Sequence, residues 1–225
     1  MPERGLRLYE LMQAPELPGV YAWYYRIELS DKDIGDCITA CNGATSDEER
    51  CAVVRLFLER RLFNYYREQP YTAVLTGPLK PTYTGVLENQ MPISESLVAR
   101  VAAKPDRLRG LKELLQQSIP FFASPIYIGV AKNLRRRLLR HKALIERYQQ
   151  SMAAGLMEPQ IETDAEEDPE SDKDHSFARE VATARRFAAY NLVVHVMELA
   201  TDEDGLRVDI ENLLNRINYP LCGRN

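Results

Sequence analysis

Two periodicities divide the chain. Residues 20–29, VYAWYYRIEL, are dense in aromatic and β-branched side chains and follow Pro18-Gly19, which predicts a strand. PIYIG at 125–129 and NLVVHVMELA at 191–200 predict two more strands. Between and after them the period lengthens to that of helices. One is predicted from Asp47 to about Glu68, with Ser46 as N-cap and Glu49 three residues on. Two shorter ones are expected near 94–103 and 106–117, a basic one at about 134–152 capped by Asn133, and others at about 177–190 and 203–218. Residues 31–46 and the proline-rich 69–93 read as loops. The expected fold is α/β in the broad sense (α+β): a small core of residues 1–29 and 124–225, interrupted by a large, mostly helical insertion at 30–123.

The basic helix has two faces. At about 100° per residue, Leu134, Leu138 and Ile145 share one side, with Arg137 and His141 one turn apart on it. Arg136, Arg140 and Arg147 form a separate stripe that should face solvent. An arginine on an apolar face needs a partner, either a buried carboxylate or a phosphate entering a cleft. A histidine there is more often a satisfied core or rim residue.

Charge changes the picture. The chain of 225 residues carries a formal net charge of -4, yet residues 158–174 hold nine acidic side chains and one lysine. Without them 28 basic residues face 24 acidic ones, so the rest is mildly basic and nucleic acid is not excluded as a partner. The acidic stretch, 158–175, reads as a mobile loop, either simply solvated or competing with DNA for the basic face. No apolar run of about 18 residues appears and the N-terminus has no apolar block, so neither a membrane span nor a signal peptide is expected, and the cytoplasm is the expected location. Cys37, Cys41 and Cys51 lie close together, but without the paired short spacings of a zinc site they read as free thiols.

Gly19-Val20-Tyr21 and Tyr127-Ile128-Gly129, with Arg137 eight residues beyond the second glycine, His141 one turn later, and Glu211 opening ENLLNRINYP before Pro220, resemble the GIY-YIG nuclease superfamily, and most nearly its restriction-type members. The resemblance covers residues 17–29, 124–142 and about 191–225. It departs in two places. About 105 residues separate half-motifs that usually lie much closer. An asparagine expected three residues after the proline is absent: position 223 is glycine, and Asn225 comes fifth. Either Asn225 fills that role, or Asn215 or Asn218 does, or the role is lost.

The resemblance implies a GIY-YIG-like three-stranded, mainly antiparallel sheet flanked by helices, and a metal-dependent DNA endonuclease acting in restriction, phage defence or repair. Glu211 would bind Mg²⁺ (or Mn²⁺) from the rim of the apolar stripe Leu206, Ile210, Leu213, Leu214 and Ile217, and Arg137 would hold the scissile phosphate. Tyr127 would be the general base, needing nearby positive charge because a free phenol has a pKa of about 10. Tyr21 would be its partner, and His141 would relay a proton or orient a phosphate oxygen. Lys132, Arg136, Arg140, Lys142 and Arg147 would hold DNA backbone without reading sequence. Cutting both strands calls for a homodimer, and 30–123, with Arg55, Arg60, Arg61 and Lys80, is the candidate recognition or dimerisation region. The alternative is a catalytically idle subunit of the same fold that binds nucleic acid or a partner. A plain interaction protein with accidental half-motifs would leave them off adjacent strands.

Overall fold

The computed structural model describes residues 5–67, 71–78, 80–87, 92–155, 169–200 and 204–222. In chain order the elements are β1 (Leu6–Arg7), β2 (Gly19–Tyr25), α1 (Asp31–Gly43), α2 (Asp47–Arg61), β3 (Tyr71–Gly77), β4 (Lys80–Leu87), α3 (Glu95–Ala103), α4 (Arg107–Phe122), β5 (Tyr127–Ala131), α5 (Leu134–Ala153), α6 (Pro169–Arg179), β6 (Leu192–Glu198) and α7 (Asp204–Asn218). The fold is α+β with antiparallel sheets. Among the described residues no helix is long and apolar enough to cross a membrane.

The chain forms two compact units, residues 1–26 with 116–225, and residues 27–115. The first is built on an antiparallel sheet of order β1-β6-β2-β5. It has four strands rather than three, because the two-residue β1 adds to the free edge of β6. Alternation along β2 splits its side chains between two cores. Val20, Ile128 and Val130 pack with Ile210 and Leu214 of α7. Tyr21, Trp23 and Tyr25 face the other way and are all buried.

Local signals place the helices of this unit. Asn133 Oδ1 accepts from Arg136 N at 2.9 Å and caps α5. Leu134, Leu138 and Ile145 are fully buried, as their shared face requires. Two expectations need correction. Pro169–Arg179 is helical, so the acidic stretch is not a loop over its last residues; 158–168 lie outside the described residues. The apolar stripe of α7 does not all face inward: Leu206, Leu213 and Ile217 are 48%, 59% and 72% exposed, and Arg207 is buried instead.

In residues 27–115, Ser46 Oγ caps α2 by accepting from Glu49 N at 3.1 Å. The stretch read as a loop at 31–46 is largely α1, whose Ser30 Oγ accepts from Asp33 N at 3.0 Å. Ile34, Cys37, Ile38 and Cys41 are buried at helical spacing, a pattern visible once cysteine counts as apolar. The proline-rich stretch contains the antiparallel hairpin β3–β4; both its strands are edges, where Pro81 removes no needed ladder bond. Arg55 makes a two-pronged pair with Glu95 at 2.7 Å, and Arg61 pairs with Asp33 at 2.6 Å. Two of the arginines expected to be available here are thus engaged within the unit.

Candidate functional site

The two half-motifs lie on neighbouring strands. In the β2–β5 ladder Tyr21 stands opposite Gly129, Trp23 opposite Tyr127 and Gly19 opposite Ala131. The glycines lie within strands, so their role is space rather than a turn. A Cβ on Gly129 would sit 2.5 Å from Tyr21 Oη and 2.9 Å from Tyr127 Cε1. A Cβ on Gly19 would strike Met197 O and the Leu134 side chain. The missing Cβ of Gly129 is what lets the two tyrosines approach, their ring centroids 6.1 Å apart.

Helix α5 follows β5 after two residues and turns Arg137 and His141 toward these rings. Of the two partners expected for Arg137, the structure has the buried carboxylate. Arg137 Nη2 lies 2.8 Å from Asp174 Oδ1, and Nε donates to Tyr21 Oη at 3.4 Å. Asp174 projects from α6 and is 0% exposed; Arg137 is 9% exposed. Arg140 Nε comes within 3.5 Å of Asp174 Oδ2. That corrects the view of Arg140 as purely solvent-facing: its side chain is 41% exposed and its inner edge meets the buried carboxylate.

His141 is held at both ring nitrogens. Trp23 Nε1 lies 3.2 Å from Nδ1, and Asp174 Oδ1 lies 2.5 Å from Nε2. An indole N–H can only donate, so Nδ1 must accept, and Nε2 then carries the proton and donates it to Asp174. The imidazole is therefore neutral. Burial also pushes its pKa below the ordinary value, outweighing the favourable Asp174 carboxylate. The contact between Tyr21 Oη and Nε2, at 3.4 Å, adds little beside the shorter bond.

Both tyrosines are weaker acids than usual. Burial raises the Tyr21 pKa well above the free value, and Tyr127 adds to this. Burial pushes Tyr127 up to about 12; Arg137 opposes the rise, while Glu211 and Asp174 reinforce it. For Arg137, burial disfavours the charged form, but Tyr21 and Asp174 outweigh it and the pKa rises. The guanidinium thus stays charged although it is nearly enclosed.

Glu211 is half-buried on α7, near enough to Tyr127 for its charge to oppose ionisation of the phenol. Asn215, one turn further on and on the same side, has a buried Oδ1 with no hydrogen-bond partner among the described residues. Asn218 is turned to its own helix, Nδ2 donating to Leu214 O at 3.0 Å. Asn225 lies outside the described residues. Among the described residues no group of three or more His, Cys, Asp or Glu side chains could hold a metal. A single carboxylate beside an unpaired amide oxygen is nonetheless a hard-oxygen donor set that suits Mg²⁺ or Mn²⁺, since Mg²⁺ keeps several of its waters. The cysteines offer no such set: burial pushes the Cys37 thiol up to about 12, and Cys41 beside it adds to the rise.

The expected DNA-facing residues divide. Lys132, Arg136 and Arg147 are exposed, whereas Lys142 approaches Glu146 at 3.9 Å. Two residues that organise the centre were not anticipated, Asp174 and Trp23. Asp174 sat in an acidic run that reads as solvated, and Trp23 in a strand whose aromatics read as packing. The available signal was the inward-facing pair Arg137 and His141, whose arginine called for either a buried carboxylate or a phosphate without saying which. In comparison with known proteins, no family model, no curated protein and no solved structure matches this chain.

Proposed function

We propose that the chain is a metal-dependent DNA endonuclease of GIY-YIG type that hydrolyses phosphodiester bonds. One observation supports this reading above the others: Tyr21 and Tyr127 come from half-motifs paired in one ladder, with Arg137 and Glu211 beside them. An interaction protein with accidental half-motifs would have no reason to gather those four groups. Glu211, with Asn215, is the pair that would hold Mg²⁺ or Mn²⁺. Such an ion would supply Lewis-acid activation of water and charge neutralisation on the phosphate. Arg137 presents a permanent positive charge to a phosphate oxygen. With its pKa near 12, Tyr127 is a neutral phenol at pH 7, so its first task is to orient the attacking water by hydrogen bonding. Using it as a base needs further positive charge beside it. Arg136, Arg147 and Lys132 hold the DNA backbone. Cutting both strands calls for a homodimer, with residues 30–123 serving recognition or dimerisation.

A second reading is favoured by one specific observation. Arg137 is nearly enclosed and bonded to Asp174, as it would be in an idle fold that only binds nucleic acid or a partner. Plasmid cleavage decides between them, with Mg²⁺ and with chelator, comparing wild type with Glu211→Ala and Arg137→Ala. Cutting by wild type alone, and only with metal, is the expected result. DNA binding without cutting selects the idle subunit. Equal cutting by all three proteins would refute the site.

A further inference from the structure

We propose that Asp174 is a positioning residue for phosphate binding: through a buried relay with His141 and Trp23 it holds the Arg137 guanidinium in the orientation that receives a phosphodiester. The functional arm rests on the nuclease reading above; the structural arm does not. The relay is continuous. The Trp23 indole donates to His141 Nδ1, His141 Nε2 donates to Asp174 Oδ1 at 2.5 Å, and the same oxygen takes Arg137 Nη2 at 2.8 Å. Arg137 Nε then reaches Tyr21 Oη. Four side chains from β2, α5 and α6 thus restrain one guanidinium whose torsions would otherwise be free.

A carboxylate bonded to a phosphate-binding arginine could instead be a lock that swings away when substrate arrives. The packing argues against that. Phe177, one turn beyond Asp174, lies 4.5 Å from the Tyr127 ring, 5.0 Å from His141 and 6.1 Å from Trp23 by centroids. Phe177, Ala178 and Val181 are all buried. Withdrawing Asp174 by a shift of α6 would therefore unpack the wall of the site, and at 0% exposure its side chain has no solvent to swing into. Arg140, whose side chain is 41% exposed, also approaches the Asp174 carboxylate, at 3.5 Å.

The test compares wild type with Asp174→Asn, an isosteric change that removes the charge, after urea denaturation establishes that the variant is folded. Three quantities are read: kcat and KM for plasmid cleavage with Mg²⁺, Kd for a short DNA duplex in chelator, and the Arg137 Nε–H signal by NMR. The expected result is a slow-exchanging Arg137 signal in wild type that shifts and exchanges faster in the variant. With it kcat falls about 100-fold, the scale of a misplacement of about 1 Å, while Kd changes less than about threefold. A rise in kcat would mean a lock and overturn the proposal, as would an unchanged Arg137 signal or an equal fall in kcat and affinity. If wild type does not cut, the nuclease reading falls while the Arg137 signal still decides the relay. If Asp174→Asn does not fold, Trp23→Phe applies the same test from the other end, and an unchanged Arg137 exchange rate there overturns the proposal.

Discussion

Replacing Gly129 by alanine tests the geometry that brings the tyrosines together. The added methyl would sit 2.5 Å from Tyr21 Oη, 2.7 Å from Tyr21 Cζ and 2.9 Å from Tyr127 Cε1. Ordinary carbon contacts begin at about 3.5 Å, so the Tyr21 ring must retreat by about 1 Å. Little room exists for it. Tyr21 is 1% exposed and meets His141 edge-on at a centroid distance of 5.5 Å. Its hydroxyl already lies at 3.4 Å from Arg137 Nε, so a retreat breaks that bond. Overpacking of this kind costs about 1–3 kcal/mol. For a protein of this size each kcal/mol lowers Tm by about 2–4 °C. Gly129→Ala should therefore melt several degrees below wild type and, on the nuclease reading, cut about 100-fold more slowly. Gly35→Ala and Gly110→Ala are the controls. Their methyls meet nothing within 4 Å, and in helix interiors they should stabilise by about 0.5–1 kcal/mol with cutting unchanged. Thermal melting, cleavage rates and a structure of the variant carry the test. A Gly129→Ala protein with wild-type Tm and an intact Tyr21–Arg137 bond would refute the reasoning.

Two further outcomes follow from the charges. Burial lowers the folded-state pKa of His141 and of the half-buried His195. The unfolded chain therefore binds more protons just below the ordinary histidine value, and these residues' share of stability, complete above about pH 6.5, declines as pH falls. Urea denaturation between pH 7.5 and 5.5 should show this, with the His141 ring ¹⁵N shifts keeping their neutral pattern; an imidazolium pattern for folded protein at pH 6 would contradict the Trp23–His141 bond. Arg136 and Arg147 are exposed on the outer side of α5, so alanine at either should leave Tm within about 2 °C. Each should also reduce the slope of log K against log salt for duplex binding by about 1, and unchanged slopes would remove these residues from the interface.

Much of the scaffold around the site was legible because its causes are local. The caps of α2 and α5 depend on Ser46 and Asn133 bonding backbone three residues ahead. The inward turn of Arg137 and His141 follows from helical spacing alone. Where local reading failed, a residue type had been misweighed. The cysteines of α1 read as free thiols rather than as part of an apolar stripe, and Pro78 and Pro81 read as loop signals although a two-stranded ribbon has edges to receive them.

The site itself divides differently. The residues that a phosphodiester chemistry would use are present in sequence order, and their spacing within α5 and α7 already decides which of them can share a helix face. What joins them is long-range. Asp174 meets His141 across 33 residues, and Trp23 meets it across 118. No periodicity encodes such pairings, because they arise from how β2, α5 and α6 pack. The same acidic side chain that hydration would claim in an isolated stretch becomes a buried anion once two guanidiniums and an imidazole surround it. Likewise the strand order β1-β6-β2-β5, and the choice of Arg207 over Leu213 for the inner side of α7, were settled by tertiary contacts. Sequence determined the chemical inventory and its local geometry; tertiary structure decided which carboxylate completes the arginine and which tautomer the histidine holds.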